Sequence, residues 1–304
     1  MSNLVTITWD RDLPILLLQA NSIAKFLNEK STHWVVIQSS SKTTQEWIDL
    51  LSPYYNQNCE LKVLDRKIFD TSLSSEYSSY YKAGWVDQQM LKLLMAEKIN
   101  SDAYLVLDSQ NIFIKPTRIS DLPVSEGNSN IVGVEWNKGF KWGDFIIDKM
   151  GKPLPSKFWR PWTPFLFKTN TVKKILKNYP RLEYLFDCSH TKLSIYEPVS
   201  EFILYSFYTD FDFDKMSKKF SYNFWGNDYE NINQFENSFD DPDIKILAFH
   251  RNFISNHDSN FIKAVKLSLI SIGLNNSLVN QAFDQPYWQQ IKKIENDNNY
   301  NKRL

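Results

Sequence analysis

The chain has 304 residues, of which 42% are hydrophobic and 23% are charged, close to the averages of globular domains. It can therefore bury a substantial core, and we expect a single domain over residues 1–304. Lys plus Arg and Asp plus Glu number 35 each. This balance argues against a nucleic-acid partner, because such partners require a strongly basic surface.

Two further features concern the cellular compartment. Cys59 and Cys188 are too few and too far apart for a disulfide framework or a thiolate zinc site, which fits a reducing environment. The first residues lack a basic segment followed by a long apolar run, and no later run approaches the ~20 apolar residues of a membrane span. We therefore expect a cytoplasmic protein with at most peripheral membrane contact.

Strands and helices alternate along the first third of the chain. Hydrophobic spacing predicts strands over residues 4–8, 33–38, 61–64 and 103–107, and helices over residues 13–27, 43–51 and 84–98. This alternation predicts an α/β fold with a parallel, doubly wound, Rossmann-like sheet. The strand over residues 103–107 is wholly apolar, as expected at the centre of such a sheet.

The sequence changes in character after Pro116. An aromatic stretch with Gly and Pro extends to Trp162, and we expect it to form an insertion that borders a binding cleft. Strands are predicted over residues 131–135, 165–168 and 244–249, and helices over residues 171–178, 198–208 and 261–274. The polar tail after Ile294 is expected to fray.

The strongest local signal is a strand that ends on a carboxylate, in the segment Tyr104-Leu-Val-Leu-Asp108-Ser-Gln-Asn-Ile-Phe-Ile-Lys-Pro116. Open α/β sheets bind ligands at this edge, because the loops that leave the strands diverge and form a crevice. An Asp after a strand can equally cap a turn. The preceding helix starts with several hydrogen-bonding side chains, in the segment Gly84-Trp-Val-Asp-Gln-Gln-Met-Leu-Lys92, and this context favours a ligand site.

These two segments also carry a resemblance. The pattern Gly-Trp-x-x-Gln-Gln-x-x-Lys at residues 84–92, followed by Leu-Val-Leu-Asp-Ser-x-x-x-Phe-x-x-Pro at residues 105–116, resembles bacterial glycosyltransferases of GT-A fold in a DUF6492-like family. Weaker similarity extends to residues 5–13, to Ser200-Glu201 and to Phe249-His250-Arg251. The resemblance implies a GT-A-like catalytic domain, with residues 1–116 binding the nucleotide-sugar and residues 117–304 forming the acceptor side and the C-terminal helices.

The resemblance also implies how a UDP- or GDP-type donor would bind. The donor would lie over the first strand and contact Thr6, Trp9 and Arg11, with Gln89 and Lys92 on the helix of residues 84–98. Asp108 stands at the first Asp of the family's Asp-x-Asp motif, which binds a divalent cation that bridges the donor's diphosphate.

This sequence departs from the metal-binding pattern at its second position. Gln110 replaces the second carboxylate, and a neutral amide is a poorer ligand for Mg²⁺ or Mn²⁺. A metal would then be held by Asp108 with His250. Alternatively, Asp108 binds donor hydroxyls while Lys92, Arg11 or Arg251 neutralises the diphosphate.

Two residues in the second half carry both a functional and a structural interpretation. The resemblance implies that Glu201 is the base that accepts the acceptor's proton, although Ser200 and Glu201 also fit a capped helix start. His250 follows an apolar strand, where it either contacts phosphate or metal or is a histidine of the core.

The sequence therefore predicts a glycosyltransferase that moves a sugar from a nucleotide-sugar to a glycan or lipid-linked acceptor in surface polysaccharide synthesis. A non-catalytic sugar-nucleotide binding protein is the alternative, because Gln110 weakens the metal motif. A phosphoryl or nucleotidyl transferase fits less well, since the chain lacks a Gly-Lys-Ser/Thr phosphate loop and has only 8 glycines.

Overall fold

A mixed five-stranded sheet forms the frame of the protein. The computed structural model describes residues 1–69, 83–122, 163–182, 186, 200–209, 220–224, 232–250, 254 and 259–284. The sheet has the order β3–β2–β1–β4–β6, and its strands are β1 (Ser2–Trp9), β2 (Ser31–Ser39), β3 (Cys59–Asp65), β4 (Ala103–Leu107) and β6 (Phe165–Lys168). The first four are parallel, and β6 pairs with β4 in the antiparallel sense.

Four helices of the first and middle parts of the chain pack on this sheet. They are α1 (Leu13–Phe26), α2 (Thr44–Leu51), α3 (Ala83–Leu94) and α4 (Thr169–Asn178). Helix α2 starts with a capping box, in which Thr43 accepts from the Glu46 amide and Glu46 accepts from the Thr43 amide. Strand β4 separates α1 from α3, because Leu105 and Leu107 belong to the core on the α1 side while Tyr104 and Val106 belong to the core on the α3 side.

A second, three-stranded sheet lies beside the first. It has the order β5–β8–β7, with β5 (Asn111–Phe113), β7 (Ser221–Phe224) and β8 (Ile246–Phe249). The remaining described helices are α5 (Glu201–Ser206), α6 (Ile232–Asp240), α7 (Ser259–Ser271) and α8 (Asn276–Phe283). Since β5 follows β4 after a tight turn, the second sheet begins directly at the end of the strand that delivers Asp108.

The predicted fold class is confirmed, because the described chain is α/β with a mostly parallel sheet flanked by helices. The helix predicted over residues 84–98 ends as an α-helix at Leu94 and continues as a 3-10 turn, Met95–Glu97. The helix predicted over residues 198–208 is shorter, Glu201–Ser206. Strands β5 and β7 and helices α6 and α8 were not predicted, because they are short and rich in Asn, Ser or Gln.

Aromatic residues of the second half fill a core in the described part of the chain. Phe165, Phe167 and Phe202 are buried, and the rings of Phe167 and Phe202 stack with centroids 5.8 Å apart. Such contacts add to the free energy of burying the rings. The aromatic insertion expected to border the cleft, up to Trp162, lies outside the described residues.

No described helix combines the length and the apolar character that crossing a membrane requires. The longest described helix, α1, has 14 residues, short of a membrane span.

A chain of buried polar side chains connects the sheet to α1. The hydroxyl of Thr6 donates to Gln19 Oε1 at 2.9 Å and lies 2.9 Å from His33 Nε2, while His33 Nδ1 lies 2.6 Å from the hydroxyl of Tyr55. Because the Thr6 hydrogen goes to Gln19, His33 Nε2 must be the donor to Thr6. His33 Nδ1 then carries no hydrogen and accepts from Tyr55.

Burial of its ring keeps His33 neutral in the folded protein. Burial lowers the pKa of His33 to about 3, far below its ordinary 6.5. Burial also raises the pKa of Tyr55 well above 10, so its hydroxyl retains the hydrogen that it donates.

We predict that His33 makes the protein sensitive to acid. Below pH 6.5 the unfolded chain protonates His33 while the folded protein does not, so the free energy of unfolding falls by about 1.4 kcal/mol per pH unit. Between pH 7 and pH 4.5 this amounts to about 2–3 kcal/mol. Urea unfolding at both pH values measures it, and His33→Gln should show a correspondingly smaller decrease. Equal decreases in the two proteins would contradict the assignment.

Candidate functional site

The carboxyl ends of the four parallel strands meet at one edge of the main sheet. Trp9 ends β1, Ser39 ends β2, Asp65 ends β3, and Asp108 follows β4. Open α/β sheets bind their ligands at such an edge. Of the two central strands, β1 ends on Trp9 and β4 is followed by a carboxylate, Asp108. The candidate site is therefore centred on Asp108.

Asp108 starts a tight turn that is fixed at both ends. The Asn111 amide donates to the Asp108 carbonyl at 2.9 Å, and the Asn111 side chain accepts from the Asp108 amide at 3.0 Å. Ser109 lies inside the turn and donates to Thr8 at 3.1 Å. The Asp108 side chain remains 37% exposed, so the turn presents this carboxylate to the edge of the sheet.

A buried lysine on α3 lies between two carboxylates. Lys92 Nζ is 3.3 Å from Asp108 Oδ1 and 3.0 Å from Glu201 Oε1, and the lysine side chain is only 3% exposed. At 3.3 Å, the contact between the Lys92 ammonium and the Asp108 carboxylate is an ion pair. We call Asp108, Lys92 and Glu201 the charged triad, and it carries a formal charge of −1.

The third member of the triad is completely buried at the start of α5. Ser200 caps this helix by accepting from the Phe202 amide at 3.3 Å, and its hydroxyl lies 3.3 Å from Glu201 Oε2. The NH2 group of Gln89 faces the Glu201 carboxylate, since both carboxylate oxygens are acceptors. Glu201 itself has no exposed surface, so its contacts are all inside the protein.

The triad shifts the protonation of its buried members. Burial alone would lower the pKa of Lys92, but Asp108 and Glu201 outweigh it and raise this pKa, so the ammonium keeps its charge. Burial raises the pKa of Glu201, Lys92 partly offsets this, and the negative charge of Asp108 raises it further. The buried glutamate therefore depends on the ammonium for its negative charge.

Trp9, which is partly buried at the end of β1, stacks with the exposed side chain of Arg11. The Arg11 guanidinium lies 3.6 Å from the centre of the Trp9 ring, in cation-π contact. On α3, a Cβ placed on Gly84 would come within 2.8 Å of Trp9 Cη2, so only glycine permits this close approach. Trp9 and Arg11 thus lie at the predicted donor-binding edge, and Asp10 instead binds the loop after β2, accepting from the Ser41 amide at 2.9 Å.

A second ionic cluster, which was not predicted from the sequence, lies at this edge. Asp87 Oδ2 accepts from Arg66 Nε at 2.7 Å and from Gln38 Nε2 at 2.9 Å, and Gln38 also donates to the Gly84 carbonyl at 2.5 Å. Asp87 Oδ1 is buried without a hydrogen-bond partner among the described residues. The position of Asp87 within the predicted Gly84–Lys92 segment was the signal that could have identified this cluster.

The second sheet brings His250 to the Asp108 turn. The Phe249 amide donates to the Gln110 carbonyl at 3.1 Å, so His250 is the next residue after a direct contact with the turn. Its amide donates to the Phe224 carbonyl at 2.9 Å. Asp108, Gln110 and His250 therefore belong to one corner of the molecule. Arg251 lies outside the described residues.

The side chains of this corner do not fit a complete divalent-cation site. Gln110 offers only a neutral oxygen, and Asp108 Oδ1 already faces the Lys92 ammonium. Within the described ranges, no three His, Cys, Asp or Glu side chains are grouped so as to hold a metal ion. The proposed metal role of Asp108 and His250 stays a prediction.

Three expected donor contacts, Thr6, Gln89 and Lys92, are used inside the protein, and buried Gln89 faces the Glu201 carboxylate. Thr6, which was predicted to contact the donor, is fully buried, and its hydroxyl forms hydrogen bonds with Gln19 and His33. Lys92, expected at the diphosphate, instead lies between Asp108 and Glu201. The sequence indicated which helix and strand carry these groups but not which side chains they face.

Solved structures define the class of fold. The apo bifunctional glycosyltransferase WbbM is 11% identical, with a TM-score of 0.50 over 90% of this chain and 52% of its own. LgtC, a galactosyltransferase solved with donor and acceptor sugar analogues, is 13% identical, with a TM-score of 0.48 over 88% of this chain and 95% of its own. GlyE of Streptococcus pneumoniae TIGR4 is 15% identical, with a TM-score of 0.48 over 93% and 63%.

The chain thus spans about half of WbbM and less than two thirds of GlyE. At 11% identity the likeness to WbbM defines the fold alone, which is that of GT-A glycosyltransferases. None of the curated proteins matches the sequence. The chain belongs to the family described as "Family of unknown function (DUF6492)", which matches residues 12–221.

We predict that the charged triad is energetically coupled. Lys92→Met leaves a buried glutamate and a half-buried aspartate without their cation, and should reduce the free energy of unfolding by about 3–5 kcal/mol. Lys92→Met/Glu201→Gln removes the buried charge and should recover at least about 2 kcal/mol of this loss.

Urea unfolding of the two single variants and the double variant measures this coupling. The exposed pair of Lys62 and Glu60, 3.5 Å apart, is the control, and Lys62→Met should cost less than about 1 kcal/mol. A double variant as unstable as the sum of its singles would contradict the coupling.

Proposed function

We propose that the protein is a bacterial glycosyltransferase that transfers a sugar from a UDP- or GDP-type nucleotide-sugar to a glycan or lipid-linked acceptor in surface polysaccharide synthesis. One observation carries this proposal. In a GT-A fold, the central strand β4 is followed by Asp108, whose carboxylate is partly exposed at the carboxyl edge and contacts the buried Lys92 ammonium.

Asp108 is suited to bind the hydroxyls of a donor sugar. Its Oδ1 faces Lys92, while the remaining part of the carboxylate is open to a ligand. A carboxylate whose position is fixed before the ligand arrives loses little further entropy when it binds, and it can orient the sugar for attack. The buried ammonium prevents Asp108 from turning away from the edge.

Neutralisation of the departing diphosphate requires a cation other than Lys92. Arg11 is exposed and held by its stack on Trp9, at the end of the strand over which the donor is expected to lie. A guanidinium binds phosphate oxygens through two parallel hydrogen bonds. We therefore assign the diphosphate to Arg11, with Arg251 as the second candidate.

Glu201 in this proposal acts through Lys92. A general base must reach the acceptor hydroxyl directly or through one water, and Glu201 has no exposed surface and contacts Lys92 at 3.0 Å. The role as base that the resemblance implies therefore requires an opening of the site. Its role as the partner that holds Lys92 beneath Asp108 requires none.

A non-catalytic sugar-nucleotide binding protein is the second candidate function. The observation that favours it is Gln110, which leaves the turn with one carboxylate where the metal motif has two. Both functions share donor binding, and only the enzyme releases nucleoside diphosphate. Slow hydrolysis of the donor in the absence of acceptor therefore separates the two candidates.

We predict that Asp108→Asn abolishes this turnover. UDP- and GDP-sugars should raise the melting temperature of the wild type, with Mn²⁺ or with EDTA, because they bind the folded state. Asp108→Asn should lower nucleotide release by about 100-fold or more, with a stability change within about 1 kcal/mol, because the side chain is partly exposed.

Asp65→Asn is the matched control, since Asp65 ends β3 at the same edge and accepts from the Lys67 amide at 2.8 Å. It should keep near wild-type turnover. Equal activity of Asp108→Asn and Asp65→Asn would show that Asp108 is not part of the site.

Binding without nucleotide release in the wild type would support the second candidate function. Activity abolished by EDTA and restored by Mn²⁺ would show that a metal site is completed by other ligands.

A separate prediction concerns Glu201→Gln. If Glu201 supports Lys92, the variant should lose stability and raise the donor KM together, because Asp108 loses its fixed position. If Glu201 is the base, the variant should lower kcat by about 100-fold with the donor KM unchanged. Donor titrations of turnover, combined with urea unfolding, distinguish the two results.

A further inference from the structure

One helix side chain supports the Asp108 turn from the opposite face of the sheet. Gln19 is fully buried on α1, and its Nε2 donates to the Asp108 carbonyl at 2.7 Å and to the Asn111 carbonyl at 3.0 Å. These two carbonyls flank the turn. The single amide group of Gln19 therefore bonds to the first and the last residue of the turn.

The orientation of the Gln19 amide is fixed by its partners. Both carbonyls can only accept, so the NH2 group must face them, and Oε1 then faces the hydroxyl of Thr6, which donates to it at 2.9 Å. Every hydrogen of the amide is used. Rotation of the side chain would leave buried polar groups without partners, which is costly in a protein interior.

The hydrogen bonds that link Tyr55, His33, Thr6 and Gln19 impose the same orientation on the Gln19 amide. Each member donates toward Gln19, beginning with Tyr55, because His33 carries its ring hydrogen on Nε2. The titratable groups that face His33 from neighbouring elements are Tyr55 and Cys59, and burial raises the pKa of both, so they stay neutral. The hydrogen-bond chain therefore keeps one arrangement across the neutral pH range.

The two supports of Asp108 are independent. Lys92 on α3 contacts the carboxylate from one side of the sheet, whereas Gln19 on α1 contacts the backbone from the other. Lys92 restricts where the carboxylate points. Gln19 restricts where the peptide that carries it lies.

We propose that Gln19 is a positioning residue. By donating to the Asp108 and Asn111 carbonyls, it fixes the position of the Asp108 backbone at the edge of the sheet. The ordering of the turn follows from the hydrogen bonds alone, and its consequence for turnover rests on the proposed function. Loss of the amide should let the turn open without unfolding α1 or β4.

Hydrogen exchange of the ligand-free protein tests the ordering. In Gln19→Met, which keeps an unbranched side chain of similar size, the Asn111 amide should exchange about tenfold faster or more, while amides of β1 keep their protection. Ser22→Ala is the matched control. Ser22 is buried one turn further along α1 and accepts from the Phe113 amide at 3.1 Å, so it contacts β5 just beyond the turn. It should leave Asn111 exchange within about threefold of the wild type.

A second variant keeps the test valid if Gln19→Met does not fold. Glu at position 19 keeps the shape and the acceptor for Thr6, but it donates only when its carboxyl group is protonated, and burial favours that form. In Gln19→Glu, Asn111 protection should therefore increase as the pH is lowered from 8 to 5.5, after correction for intrinsic exchange. The wild type and Ser22→Ala should show no such change.

Turnover of a UDP- or GDP-sugar gives the functional readout. Donor hydrolysis by Gln19→Met should fall at least tenfold in kcat/KM, against less than threefold for Ser22→Ala. Asn111 exchange equal in Gln19→Met and Ser22→Ala would overturn the proposal. Faster exchange of Asn111 with unchanged turnover would show that Gln19 orders the turn but has no effect on the reaction, and would overturn its role in positioning Asp108 for turnover. A wild type without turnover would refute the proposed function, while the exchange result would still decide the ordering.

Discussion

The ionic contact between a buried lysine and two carboxylates is the constraint on which the site depends. Removing an ammonium and a carboxylate from water costs more than their attraction usually returns, so such a group rarely exists for stability alone. Lys92 lies 3.3 Å from Asp108 and 3.0 Å from Glu201 at 3% exposure. It joins three elements that are distant in sequence, and none of them can move without separating charges in a medium of low polarity.

Two different interactions restrain Asp108, one on its side chain and one on its backbone. From the α3 side the restraint is ionic and acts on the side chain, and from the α1 side it is hydrogen-bonded and acts on the peptide. Satisfied hydrogen-bond networks in a dry interior are rigid because each unpaired group would be costly. A carboxylate that is fixed in both its backbone and its side chain needs little rearrangement to bind a ligand, which is the physical basis of a preorganised site.

The fold could be predicted from the sequence where hydrophobic spacing is strong. The first four parallel strands, α1 and α2 were found because alternation and apolar faces extend over whole elements. Asp108 was found because a buried strand ended on it. The arrangement around Lys92 was not, since spacing identifies a helix but not which of its side chains meets Glu201, 109 residues later in the chain. Gln19 was missed although it lies among buried apolar residues of α1, and a polar residue on an apolar helix face was its signal.

Strand β6, at the edge of the main sheet, runs antiparallel to β4. Phe165 pairs with Val106 and Lys168 pairs with Ala103, so β6 begins at the edge where β4 ends. The polypeptide that leads into β6 therefore reaches the sheet from the side that bears Asp108. A change in the chain just before Phe165 would therefore act at the edge that bears Asp108, away from the pairing of β6 with β4. Loops that connect strands tolerate changes in length and sequence better than the strands do, so the direction of β6 leaves this edge free to vary while the sheet is kept.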